Sequence, residues 1–329
     1  LILTLLCHFS IAQTNLSSRV FGTANDQIQV NIQTLNSGDY IVSCTVDAAN
    51  DSCMVAKIDP NLNTIWSNQF GFTGRSLRAN EVLEKDNGNI LVSAVYYTNP
   101  NSTNAGSSNL IELDASGNYI SMTALGTQHE RLKKFIKTND GNFINYGDLE
   151  GVLTGSNIWN CTSLLKYNMN TGVPMWTTYY NYNPGGGAPN GELYTQKMTL
   201  SANDSLYIVA NRGISGGIFQ EIRLIYLDSA GNHNWVKGYN TGQYDRSTDM
   251  AIDGANNNYI LGYSNGFGSN SDTDLFVLKV DPVGQVKWIK SFRNPNGGMY
   301  SSTIMYGGSN NLIIAGLFML LFFLMLAIR

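Results

Sequence analysis

Three observations predict an all-β fold, a β-propeller of four-stranded antiparallel blades with five complete repeats and an incomplete sixth. The first is a stretch the chain repeats. It reads Asp274-Leu275-Phe276-Val277-Leu278-Lys279-Val280-Asp281-Pro282-Val283-Gly284-Gln285-Val286-Lys287-Trp288: an apolar strand, an acidic turn with Gly, and a strand with Trp. Its turn returns at Asp59, Asp114, Asn168 and Asp228. Together with Asp281 these residues lie 55, 54, 60 and 53 positions apart. A fixed period of this size marks a repeat architecture. The second observation is that each period holds four short strand patterns, which is what one propeller blade needs. The third is composition. Only 13% of the 329 residues are charged, and Asn, Ser, Thr, Gly and Tyr fill the polar positions, as in turn-rich β proteins.

The units follow in order. Unit one has Gln27–Gln33, Tyr40–Val46, Met54–Ile58 and Thr64–Phe70. Unit two has Arg78–Leu83, Ile90–Tyr96, Ser108–Leu113 and Tyr119–Ala124. Unit three has Leu132–Lys137, Phe143–Gly147, Ser163–Tyr167 and Pro174–Tyr180. Unit four has Gln196–Leu200, Leu206–Asn211, Ile222–Leu227 and His233–Tyr239. Unit five has Asp249–Asp253, Tyr259–Ser264, Leu275–Val280 and Val286–Phe292. Ile260-Leu261 and Leu275-Phe276-Val277-Leu278 are continuous apolar runs, expected where both faces of a strand are covered. A second marker precedes each second strand: Ser37-Gly38-Asp39, Asn87-Gly88-Asn89, Asp140-Gly141-Asn142, Asn203-Asp204-Ser205 and Asn256-Asn257-Asn258. Gly and Asn reach positive φ, and these markers sit where a tight turn should join the first two strands of a blade. The longest insert, Asn181–Gly191, is Gly- and Pro-rich and reads as a loop on one rim.

The ends differ from the repeats, which span residues 20–311. Residues 1–13 are apolar and finish on small or polar residues, as a secretory signal peptide does; the alternative is a buried strand. The sixth unit starts in phase at Ser302–Met305 and then turns apolar. Leu312–Ile328 is 17 residues without a charge. As a helix it would span roughly 25 Å, the short end of a transmembrane segment. Three readings compete for it: a C-terminal membrane anchor, the truncated or frame-shifted end of a longer propeller, and a lipid-anchor signal; a buried strand is the remainder, although twelve consecutive large apolar residues exceed what one blade strand can bury.

Little in the sequence speaks for chemistry. The net charge of −4 leaves no nucleic-acid footprint, and Lys133-Lys134 reads as a solvated strand edge. Of three His residues, His8 falls in the leader and His129 and His233 are scattered, so no Ser-His-Asp or Cys-His arrangement can be drawn. No cluster has metal-ligand spacing. Asp272-Thr273-Asp274 offers two carboxylates where Ca²⁺ wants 6–8 oxygens. A propeller glycosidase would need paired carboxylates in its central funnel, whereas the acidic residues here sit mostly in the repeated turns. No catalytic residue, cofactor or metal is therefore assigned. Cys44 and Cys53 lie equidistant from a turn centred between Ala48 and Ala49; either they form a disulfide or they are two buried free thiols. Asn15, Asn50, Asn101, Asn160 and Asn203 match the N-glycosylation acceptor, which matters only in a eukaryotic source.

Asp274–Trp288, together with Asn257-Asn258-Tyr259-Ile260-Leu261-Gly262-Tyr263, resembles the bacterial SBBP-type β-propeller repeats of exported and surface proteins. The resemblance covers about Gln27 to Gly316. In unit three, Asn168-Met169-Asn170-Thr171-Gly172-Val173-Pro174-Met175-Trp176 is similar to the Asp-x-x-Thr-Gly-x-x-x-Trp turn of quinoprotein-like propellers. That likeness implies that Trp66, Trp176, Trp235 and Trp288 pack between blades. Unit two has Ser121 at this position, so its contact must differ. A quinone cofactor would further need a polar pocket, Ca²⁺ and a catalytic carboxylate, for which no residues present themselves. The expectation is a non-catalytic exported or cell-surface propeller that binds a protein or glycan partner, or serves as a scaffold. The alternatives are a fragment of a larger secreted propeller protein and, third, an enzyme.

Overall fold

The computed structural model describes residues 25–47, 50–97, 106–125, 130–154, 157–180, 192–213, 220–267, 273–293, 298–307, 311–318 and 323–328. They form six antiparallel sheets. The first is β1 (Gln27–Thr34), β2 (Tyr40–Val46), β3 (Ser52–Ile58) and β4 (Thr64–Phe70). The second is β5 (Ser76–Glu84), β6 (Ile90–Tyr97), β7 (Gly106–Leu113) and β8 (Tyr119–Leu125). The third is β9 (Glu130–Lys137), β10 (Phe143–Thr154), β11 (Asn157–Tyr167) and β12 (Pro174–Tyr180). The fourth is β13 (Glu192–Leu200), β14 (Leu206–Gly213), β15 (Gln220–Leu227) and β16 (His233–Tyr239). The fifth is β17 (Asp245–Ile252), β18 (Asn258–Ser264), β19 (Asp274–Val280) and β20 (Val286–Phe292). The sixth is β21 (Met299–Tyr306), β22 (Leu312–Phe318) and β23 (Phe323–Ile328). Strands pair in chain order in every sheet, so each predicted unit is one blade and the fold is that of a β-propeller.

Both hairpin turns are explained by their residues. Between the first two strands, Gly38, Gly88 and Gly141 take positive φ, and Asp204 and Asn256 do the same at φ 59° and 62°. Asp and Asn are the side chains that best tolerate that region. In the turn between third and fourth strands, Asp59, Asp114 and Asp228 each accept from the backbone and side-chain amides of the Asn four residues on. These bonds, led by the Asn side chain, hold Asp114 and Asp228 below the ordinary carboxylate range.

Successive sheets pack face to face. The first strand of each lies against the inner strands of the sheet before it, β13 against β10 and β11 and the others against the first three, and the fourth strand is outermost and half exposed. An apolar cluster fills each of the five joints. One position in each first strand supplies a knob to the preceding sheet: Val82, Phe135, Met198, Met250 and Ile304, all at most 6% exposed. Its counterpart in β1 is Ile32, which is 62% exposed, since no described sheet covers that face.

The predicted indole packing holds at four joints, at three of them with the ring on a turn glycine. A Cβ added to Gly117 would sit 2.6 Å from the Trp66 ring, at Gly231 3.1 Å from Trp176, and at Gly284 3.1 Å from Trp235. Trp66 also donates to the Ala115 carbonyl at 3.2 Å. Trp288 instead packs into the fifth joint's cluster, 6.0 Å from Tyr259. Gly172, which follows the blade that has Ser121, has nothing within 4 Å of its Cβ direction. Both Gly117 (φ 85°) and Gly172 (φ 68°) are left-handed, so an alanine scan separates strain from packing. Gly172→Ala should lose about 1 kcal/mol from backbone strain alone. Gly117→Ala should lose about 3 kcal/mol, since it also displaces an indole. Urea midpoints check the difference; equal losses would show that the indole contact contributes nothing.

Two readings that the sequence leaves open are narrowed. Cys44 and Cys53 form no disulfide; with Cys161 they are buried free thiols. The β2–β3 register is one residue off the symmetric one, so Cys44 faces Met54 and Cys53 faces Thr45. A one-residue offset sends neighbours to opposite faces. Cys53 enters the core shared with the second sheet, and Cys44 packs with Val46 and Met54 on the other side. Burial pushes the Cys53 thiol above its ordinary range. The anchor-helix reading of Leu312–Ile328 is not met by the described residues of that segment either. Its described residues are β22 and β23, paired with each other and, through β22, with β21. Leu312 and Ile314 enter the fifth joint's core, which accounts for the apolar start of the segment. No helix among the described residues is long and apolar enough to cross a membrane.

Candidate functional site

Two places bring chemically useful side chains together. The first is the row of first strands. Each carries a bulge, and the residue after it is Asn31, Glu81, Lys134, Lys197, Asp249 or Thr303. A bulge leaves backbone groups out of the ladder, and the sheet before supplies their partners. Glu81 accepts from the Phe135 amide. Asp249 accepts from the equivalent Ile304 amide at 3.0 Å and from the Thr303 hydroxyl at 2.6 Å. Lys134 donates to the Gln196 carbonyl at 2.9 Å, and Lys197 lies 3.7 Å from Asp249. Lys134 is therefore not a solvated edge but a tie between blades. Burial raises Glu81 above the usual carboxylate range, against the pull of the Phe135 amide, Lys134 and Lys197. The Tyr146 phenol is raised by burial and then by the charge of Glu81. These acidic residues lie outside the repeated turns. The repeated polar-polar-apolar triplet (Asn80-Glu81-Val82, Lys133-Lys134-Phe135, Gln196-Lys197-Met198, Thr248-Asp249-Met250) was the signal that locates them.

The second place is a cleft of about 270 Å³ between the fourth and fifth sheets. Phe276, Leu278 and Phe267 form its apolar wall, with the exposed Val286 and Ile289 at the outer strand. Its polar end is Asn240, Thr241 and Asp245. The Asp245 carboxylate is buried and accepts from the Thr241 amide at 2.6 Å and from its hydroxyl at 3.0 Å. Tyr239 closes one side by donating to the Gly284 carbonyl at 2.8 Å. An apolar cleft with a few fixed polar groups is suited to binding.

The other sequence candidates are dispersed. Asp274 is held by Arg293 at 3.1 Å, and Asp272 lies outside the described residues. His233 stacks on Tyr180 with ring centroids 5.1 Å apart; His8 and His129 lie outside the described residues, as do Asn15, Asn101, residues 1–13 and the Asn181–Gly191 insert. Asn50 is exposed, Asn203 accepts from the Ser201 hydroxyl, and Asn160 lies within β11. No group of three His, Cys, Asp or Glu among the described residues is placed to hold a metal.

Sheet order and packing thus define a propeller, and comparison with known proteins agrees at the level of fold. No protein-family profile matches the chain. An uncharacterized protein of Clostridium acetobutylicum is 29% identical over 129 residues, 39% of this chain and 13% of that protein. The matched stretch is thus a small part of a much longer relative. Among solved structures, an ulvan lyase, a polysaccharide lyase bound to a GlcA(1-4)Rha3S unit, superposes with TM-score 0.53 at 14% identity. The match covers 91% of this chain and 78% of that one. A protein of unknown function from Dyadobacter fermentans superposes with TM-score 0.52 at 9% identity, over 92% and 93%. At these identities the likeness concerns the fold alone.

Proposed function

We propose that this chain is the propeller of a non-catalytic exported or cell-surface protein of the SBBP-repeat kind. It binds a protein or glycan partner on the rim of its blades. One observation carries the reading. Glu81, Lys134, Lys197 and Asp249 along the first strands are committed to neighbouring sheets, whereas the cleft between the fourth and fifth sheets is open, apolar and rimmed by hydrogen-bonding groups. Rigid blades presenting variable rim loops are a common binding frame. The apolar leader at residues 1–13 is what supports export.

The test is a glycan microarray and a panel of extracellular matrix proteins, probed with the wild-type chain. Val286→Glu with Ile289→Glu should leave the melting temperature unchanged, because both residues are exposed, and lower binding about tenfold or more. Deleting Asn181–Gly191 should keep the fold and weaken binding. Unchanged binding in both variants overturns the site assignment, and depolymerisation of a bound polysaccharide overturns the non-catalytic reading.

A further inference from the structure

The joint between the second and third sheets has lost a part that its neighbours keep. In the fourth strands, Trp66 pairs with Lys57, Trp176 with Lys166, Trp235 with Tyr226 and Trp288 with Lys279; at the same register, Ser121 pairs with Glu112. The first, third and fourth sheets each lay an indole on the glycine of the next turn. The second offers a hydroxymethyl group, and a cavity of about 170 Å³ remains. The receiving half is intact. Gly172 keeps its left-handed φ of 68° with open space before it. Met169 has turned inward and packs in the cluster with Leu91 and Phe143, yet it leaves the space unfilled.

The cavity's lining suits a ring with a polar edge. Leu91 and Phe143 stand behind it but are almost wholly buried, so Lys85, Glu112, Ser121 and Thr123 make most of its surface polar. Lys85, with its side chain 8% exposed, donates to Glu112 Oε1 at 2.9 Å, and Asn89 donates to the same oxygen at 2.7 Å. Among the described residues no donor takes Glu112 Oε2, and the Glu112 side chain is 23% exposed. At the first joint the indole N–H goes to the carbonyl one residue past the turn's first residue; in the third sheet that residue is Met169. By volume alone, roughly 150 Å³ is enough for a benzene-sized guest.

We propose that this cavity binds a flat aromatic ligand whose ring edge carries an N–H or O–H donor, in the place an indole occupies at the other joints. The site is separate from the cleft between the fourth and fifth sheets and stands without it. The probe is 5-fluoroindole, followed by fluorine NMR against the full chain. A saturable shift is expected in the wild type. Ser121→Trp fills the space from within, so it should reduce binding about tenfold or more and raise the melting temperature by roughly 2–4 °C. Should that variant not fold, Ser121→Leu fills part of the cavity and should weaken binding less. No saturable signal in the wild type, or full binding in a folded Ser121→Trp, overturns the proposal. A second arm with a tryptophan-containing pentapeptide assigns the source. Binding of indole alone marks a free small molecule, and binding of both marks an aromatic side chain from a partner.

Discussion

Asp249→Ala is expected to lose about 3 kcal/mol of stability. The carboxylate accepts from the buried Ile304 amide, the Thr303 hydroxyl and its neighbour Met250, and lies near Lys197. Alanine leaves the Ile304 amide without a partner inside the fifth joint, where water cannot replace it. It also strands a cation, although Lys197, with its side chain 38% exposed, can recover water. Asp249→Asn keeps an acceptor for the amide and should lose only about 1 kcal/mol. Urea denaturation measures both. A loss below 1 kcal/mol for the alanine variant would show that the bulge amides do not need carboxylates. A lower slope with two transitions would show the sixth sheet parting from the array, as repeat proteins with weakened joints do.

Trp235→Ala is expected to lose about 3–5 kcal/mol. The ring stacks on Tyr226 at 5.3 Å, lies 6.2 Å from Tyr207 and covers Gly284 of the next sheet. Its removal opens the fourth joint, where Tyr207 and Tyr239 are tied to the same turn through the Pro282 and Gly284 carbonyls. Hydrogen exchange should quicken first at the Asp281–Gln285 turn amides. If protection there is unchanged, the indole is surface cover and not a tie between blades.

The strand plan was legible because each blade signals it locally. Gly, Asn and Asp mark most of the turns; the observed strands match the predicted ones to within four residues, except that β10 runs seven residues past Gly147 and β11 starts six before Ser163. The Trp contacts were legible only through resemblance, and Ser121 was correctly singled out as an exception. The ties along the first strands went unread. Glu81, Lys134, Lys197 and Asp249 are isolated charges in strands of different composition, and only the bulge places them at one register.

The sequence by itself determined the all-β class, the repeat length, the turn chemistry and the four-strand blade. These depend on contacts between residues close along the chain. The tertiary structure decided the rest. The β2–β3 register separated Cys44 from Cys53, because one residue's offset turns a side chain to the other face. The fifth joint took Leu312 and Ile314 into a β-sheet core, because an apolar run carries no mark of whether strands or lipid will cover it. The two clefts exist only where one sheet meets the next, at distances of 50 residues or so along the chain that no local pattern encodes.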